Sequence, residues 1–326
     1  MPGLSRIMAL ALLALGAALA SPPAAAQTIA SKPLRFIVPF GPGGSGDTLA
    51  RLIGQHLSER IGQPVVIENR MGAGGNIGAD AVAKSEPDGT TLLMGANYLA
   101  IAPNLYRKMS YDPIKELAPV TLIGGIPNVL VVNLAVQVFT VPELIALARS
   151  KPGELAYATP GLGTSTHLAT ELFKQQTGTD IRHVPYRANP LAMNDVIGGQ
   201  IQVFFDFVTT GAPQVRAGKV RGLATTGTKR SPVLPELPTM IEAGVPNFEV
   251  STWIAVFAAG GTPRTTAVRL HNEIAAILAM PAVKERLNTL GYDVAAAGPD
   301  QLAALMRSDT EKWGGVIAKA GIARID

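Results

Sequence analysis

The sequence predicts two α/β domains that face each other across a cleft. Short apolar runs alternate with amphipathic stretches of helical length, the rhythm of parallel strands joined by helices. Two glycine-rich turns, Gly41-Pro42-Gly43-Gly44-Ser45-Gly46 and Gly161-Leu162-Gly163-Thr164-Ser165, each follow a strand-like run and precede a helix-like one. The chain has 326 residues, enough for two domains once an N-terminal leader is set aside.

The leader comes first. Arg6 is the sole charge before residue 31, and residues 7–18 form an apolar run of h-region length, too short to span a bilayer. Ser21-Pro22-Pro23 and Ala24-Ala25-Ala26 follow. They are poor helix core and good cleavage context, so cleavage is expected after Ala26, leaving Gln27 as the mature N-terminus. No later apolar run reaches membrane-spanning length, so no membrane anchor is expected.

In the first region, strands are expected at 34–38, 65–68 and 91–94, with helices at 48–61 and 77–84 between them. Pro87-Asp88-Gly89 is a turn signal before the third strand. The second region opens on two strand-like runs, 120–124 and 128–133. A helix at 141–150, a strand at 155–159, the second glycine-rich turn and a helix at 166–177 follow. Further strands are expected at 181–184, 203–206 and 221–224, with a short helix at 191–198. Residues 249–258 form another β-branched and aromatic run. Helices at 264–280, 282–290 and 300–320 close the chain, the first two starting beside proline, which suits a first helical turn.

Composition excludes several classes. With no cysteine there is no disulfide framework, thiolate metal site or cysteine nucleophile. The net charge is +4 and dispersed, without the basic, aromatic-interleaved clusters that nucleic-acid binding needs. His167 and His183 are sixteen residues apart, unlike a helical metal pair. Ser165 and His167 lie outside any Gly-x-Ser-x-Gly elbow, and Ser165 and Thr166 read as helix caps.

What remains is anion chemistry. A helix start presents unpaired N–H groups and the positive end of a dipole, and glycine lets an anion approach the main chain. Gly41-x-Gly43-x-x-Gly46 also matches the dinucleotide fingerprint formally, with Glu68 as the one plausible ribose acid, but an exported chain favours a smaller anion. No Gly-Lys-Ser/Thr marks a P-loop. Asp47 has two readings: a first-turn acid complementing the dipole, or an acceptor for a ligand hydroxyl, amino group or bridging water. In open α/β sheets, ligands sit at the strand carboxyl ends, where both turns fall.

The chain resembles the receptors of tripartite tricarboxylate transporters, the Bug family, over residues 32–322. The matching strings are Phe36-Ile37-Val38-Pro39-Phe40 with Pro42-Gly43-Gly44 and Asp47, and Val66-Ile67-Glu68-Asn69-Arg70 with Gly72-Ala73-Gly74-Gly75-Asn76-Ile77-Gly78. Thr159-Pro160-Gly161, Gly163-Thr164, His167-Leu168, Val184-Pro185-Tyr186, Leu237-Pro238-Thr239, Trp253 and Gly261-Thr262-Pro263 continue the pattern. One departure is Tyr157-Ala158-Thr159, where the family often has Tyr-Gly-Thr.

The resemblance implies a type II periplasmic-binding-protein fold. One domain would take residues 27–125 and 250–326, the other 126–249, with two crossing strands and a closing cleft between them. It implies a periplasmic receptor, monomeric and without cofactor or metal, that hands a small carboxylate to a membrane permease. The alternatives are a receptor that presents its ligand to a sensor kinase, or an exported α/β enzyme acting on a carboxylate. Carried onto this chain, the ligand shell would comprise Phe40, Gly43, Gly44, Ser45 and Asp47 from one side. Gly161, Gly163, Thr164, Ser165 and His167 would come from the other, with Tyr186 and Asp206 as further wall; Asn97 and Tyr98, after the third strand, would add to the first side.

Overall fold

The computed structural model describes residues 32–43 and 45–326. The expected leader, its cleavage site and Gly44 lie outside the described residues. Strand β1 (Leu34–Val38) lies parallel between β2 (Val65–Asn69) and β3 (Thr91–Ala96). Helix α1 (Ser45–Ile61) links β1 to β2, and α2 (Asn76–Ala83) links β2 to β3. This is the expected βαβ rhythm, and it sends the carboxyl ends of β1 and β3 to the same edge.

The sheet then turns mixed. β9 (Ser251–Ala259) pairs antiparallel with β3 on one side and with β4 (Leu117–Val132) on the other. β10 (Asp293–Ala297) pairs with β4 at residues 122–125. Further along, residues 128–132 of the same β4 pair with β7 (Val203–Phe207) and β8 (Arg221–Thr225). β5 (Ala156–Thr159) runs parallel between β7 and β6 (Arg182–Pro185). Two groups of strands therefore share one strand, β4.

That strand corrects the sequence reading, which expected separate runs at 120–124 and 128–133. Gly124 and Gly125 are points of close approach within one 16-residue strand. A Cβ on Gly124 would stand 2.2 Å from the Asp293 carbonyl oxygen, and one on Gly125 would stand 2.2 Å from Ser251 Oγ. Glycine inside a strand has this use, admitting a neighbouring chain where any side chain would exclude it. The return path lies alongside: the Thr226 N–H donates to Asn128 O at 2.9 Å, and the Val250 N–H donates to Thr226 O at 3.1 Å.

Two helices join the groups. Helix α3 (Tyr98–Leu105), which the sequence reading missed, buries Leu99 against Ile37 and Leu93. Its Ile101 and Leu105 belong to the core around α5 (Ser165–Thr177). The last helix, α10 (Pro299–Lys319), buries Leu302 and Met306 beside Leu99 but Trp313, Val316 and Ile317 beside Leu168 and Phe173. Each such side chain contributes roughly 1.5–3 kcal/mol of burial, so both strand groups are pinned to the same two helices.

Candidate functional site

The first turn is held from behind. Gly43 takes φ +77°, a left-handed conformation that suits glycine. Its N–H donates to Asp47 Oδ2 at 2.9 Å. Arg51 Nε donates to the same oxygen at 2.9 Å, and Asn69 Nδ2 donates to Oδ1 at 2.9 Å and to the Phe40 carbonyl at 3.0 Å. Asp47 is 2% exposed. Its bond to Arg51, with those from Gly43 and Asn69, outweighs burial and lowers its carboxyl to about 2. Asp47 stands in the first turn of α1, as the first of its two readings has it, and its oxygens also brace the turn. The Phe40 ring meets the Tyr98 ring edge to face at 5.8 Å. The Tyr98 hydroxyl and Asn97 Nδ2 are buried without partners among the described residues, and burial raises the Tyr98 hydroxyl well above its ordinary value.

The second turn repeats the device with different chemistry. Gly163, at φ +72°, donates its N–H to His167 Nδ1 at 3.0 Å. That bond makes Nδ1 the acceptor and puts the ring proton on Nε2. In both turns a glycine N–H is thus tied to the side chain four residues on, an acid in one and an imidazole in the other. His167 stacks on His183 at 4.3 Å, and His183 stacks on Tyr157 at 4.9 Å. Burial, then the neighbouring His183 and Lys174, lowers His167 to about 3. The imidazoles lie face to face, an arrangement for packing and not for chelation. Tyr157 Oη donates to Glu171 at 2.5 Å, and His183 Nε2 meets Thr159 Oγ1 at 2.7 Å.

Thr164 caps α5: its Oγ1 donates to Gly161 O at 2.8 Å and accepts from the His167 N–H at 3.4 Å. As at any helix start, the first N–H groups of α5 have no intrahelical acceptor, which suits an anion. Two contacts join this turn to the other strand group. Thr252 Oγ1 on β9 donates to Ser165 Oγ at 2.9 Å. A Cβ on Gly163 would stand 2.2 Å from Leu105 Cδ2 at the end of α3.

The wall residues divide. Tyr186 sits beside the second turn, its N–H donating to Thr159 O at 2.8 Å. Its hydroxyl is committed to Asp195 Oδ2 at 2.6 Å and is raised to about 12, first by burial and then by that bond. Asp206 points to α6 (Asn189–Ile197) and α7 (Val208–Arg216), accepting from Asn189 Nδ2 at 2.6 Å and Thr210 Oγ1 at 2.8 Å. Burial raises it to about 7. Sequence reasoning did not single out Arg51, Asn69, Leu105 or Thr252. Asn69, at the end of β2, stood inside a matching string, whereas nothing local marked Leu105 or Thr252.

A cavity of about 1020 Å³ lies elsewhere, lined by Leu122, Ser231, Trp253, Asp309, Lys312 and Trp313 among others. Neither glycine-rich turn lines it. There Trp253 Nε1 donates to Asp309 Oδ2 at 2.7 Å.

Known proteins resemble this chain over most of its length. The model of the tripartite tricarboxylate transporter family receptor, TctC, matches residues 49–322. The chain is 37% identical over 320 residues to protein BugT of Bordetella pertussis, covering 98% of each chain. An R. palustris protein solved with adipate is 38% identical, with a TM-score of 0.79, covering 90% of this chain and 99% of that one. MatC from Rhodopseudomonas palustris, solved with bound malate, is 32% identical with a TM-score of 0.75, covering 88% of this chain and 99% of its own. The mixed-sheet α/β fold is that of type II periplasmic binding proteins, as the resemblance implied. The chain belongs to the tripartite tricarboxylate transporter receptor family, whose members are solute-binding proteins and not enzymes.

Proposed function

We propose that this receptor is exported to the periplasm and captures a small carboxylate between its two glycine-rich turns. The strand groups on either side of the β4 crossing act as lobes, 27–125 with 250–326 and 126–249, that close over the ligand. The closed form is favoured by what the ligand adds to it. The loaded receptor, a monomer without a membrane anchor, delivers the carboxylate to a membrane permease of the tripartite tricarboxylate type. The observation that carries the reading is the matched pair of braced turns. One helix start, at Ser165, makes a contact to the opposite strand group at Thr252. The adipate and malate held by two relatives supply the ligand class.

A thermal-shift panel of C3–C8 carboxylates on ligand-free protein, followed by calorimetry, tests it. At least one acid should raise the melting temperature saturably, because a ligand that binds only the folded state stabilises it by mass action. The bound acid should be recovered unchanged. A panel without any shift, or turnover of the bound acid, would sink the reading.

A further inference from the structure

One side chain on the crossing strand lacks what buried polar groups almost always have. Asn128 is 0% exposed, and both its amide nitrogen and its amide oxygen are without partners among the described residues. Its backbone is satisfied: the N–H donates to Thr226 Oγ1 at 2.7 Å and the carbonyl accepts from the Thr226 N–H. Thr226 Oγ1 in turn donates to the Val250 carbonyl. Only the side chain is open. Burying a donor or acceptor unpaired costs about 1–3 kcal/mol each, and native structures carry few such groups.

The register places this amide. Asn128 pairs with Phe207 across β4 and β7, and Ile126 pairs with Thr252 across β4 and β9. Directly opposed residues share a face, and residues two apart along a strand share it too. Asn128, Ile126, Phe207 and Thr252 therefore look to one side. On that side Thr252 reaches Ser165 of the second turn, while Phe207 and Ile126 pack in the same core cluster as Phe40 of the first turn. Asn128 thus lies on the sheet face whose Thr252 touches the second turn.

Resting on the receptor reading above, we propose that Asn128 recognises a second polar group on the captured carboxylate, and that this group is a hydroxyl. A second carboxylate only accepts, so it would pair with Nδ2 and leave Oδ1 open. An alkyl chain would leave both open. A hydroxyl donates to Oδ1 and accepts from Nδ2. The ligand class is a hydroxycarboxylate. A site built to hydrogen-bond a hydroxyl discriminates strongly against the analogue without it.

Matched acids test this: malate against succinate, 4-hydroxybutyrate against butyrate, and 6-hydroxyhexanoate against hexanoate and adipate. Calorimetry on the wild type should give at least about tenfold tighter binding for the hydroxylated member at the preferred chain length. Asn128→Leu should bring the ratio within about twofold. The same variant should raise the melting temperature of the ligand-free protein, because it removes two orphaned groups. Asn128→Asp, which keeps the size but loses the donor, should weaken the hydroxy acid and still more any second carboxylate. A wild-type ratio near one overturns the proposal. So does a ratio unchanged in Asn128→Leu, or a ligand-free Asn128→Leu that melts lower. A wild type that binds no acid in the panel instead breaks the receptor reading.

Discussion

The two glycine-rich turns share a backbone solution and differ in what secures it. In each, a glycine near φ +75° gives its N–H to the side chain four residues later. The first turn uses the ionised Asp47, steadied by a half-exposed Arg51. The second uses neutral His167, buried and stacked on the half-buried His183. A charge is tolerable where a partner reaches it from solvent, and costly where the surroundings are aromatic and closed. The turn geometry is the shared requirement; both braces are equally buried, and they differ in that Arg51 pairs with Asp47 while His167 stacks on His183.

The largest effect should come from breaking that symmetry at the glycines. Both strain an added Cβ through positive φ, at about 1 kcal/mol each. Only Gly163 adds an overlap, with Leu105 Cδ2 at 2.2 Å, whereas nothing lies within 4 Å of a Cβ on Gly43. Overpacking adds about 1–3 kcal/mol. Chemical denaturation should therefore show Gly163→Ala losing about 2–4 kcal/mol and Gly43→Ala about 1 kcal/mol. Equal losses would mean that Leu105 yields freely and that the second turn is no tighter than the first.

Removing the braces comes next. His167→Ala orphans the Gly163 N–H and opens a void against His183, so about 2–4 kcal/mol is expected. Asp47→Ala orphans the Gly43 N–H and frees Asn69, at about 1–3 kcal/mol, since Arg51 can return to water. If Asp47→Ala proves the costlier by equilibrium unfolding, the ionic brace is the stronger one.

How much of this was legible depends on range. The βαβ units announced themselves because apolar periodicity and turn residues are local. Both turns were found for the same reason, and Asp47 and His167 were named with them. The braces were not foreseen. That Asp47 turns back to Gly43 follows from Asn69 and Arg51 converging on it, and Asn69 lies 22 residues away. The single β4 strand was read as two, and the neighbours that Gly124 and Gly125 admit, Asp293 and Ser251, lie more than a hundred residues along the chain. Asn128, in an apolar run, looked like a strand end. Its open amide shows only once β7, β8 and β9 are paired around it.

The pH response separates the turns further. Asp47 falls from 3.8 to about 2 on folding, so the folded protein holds fewer protons than the unfolded chain between those values. Its contribution is complete above about pH 4 and is lost as pH drops toward 2. His167 falls from 6.5 to about 3, so its contribution is complete above pH 6.5 and drains across the whole acid range. His183 moves in the same direction. Asp206 opposes both: raised from 3.8 to about 7, it favours the fold most below pH 3.8 and loses that as pH rises through 7. Asp206 should therefore offset part of the fall in wild-type stability that His167 and His183 produce between pH 6.5 and 4. Asp206→Asn should steepen that fall on acidification, read as the slope and not the absolute value. An unchanged slope would mean that Asp206 titrates as an ordinary carboxylate and leave the neutral-brace account without its counterweight.

The smallest effect tests what the first brace consists of. Arg51 and Asp47 form an ion pair at 2.9 Å, but the arginine side chain is 54% exposed and the acid 3%. Half-exposed pairs contribute about 0–1 kcal/mol, screened by salt. The bonds from Gly43 and Asn69 are shielded and do not depend on Arg51. Arg51→Gln should therefore cost less than about 1 kcal/mol, with the loss shrinking further in molar salt, and should leave carboxylate affinity within about twofold of the wild type. If Arg51→Gln instead costs as much as Asp47→Ala, the ion pair is itself the brace. The two turns would then differ in mechanism as well as chemistry, one fastened through the solvent-facing surface and the other from within the core.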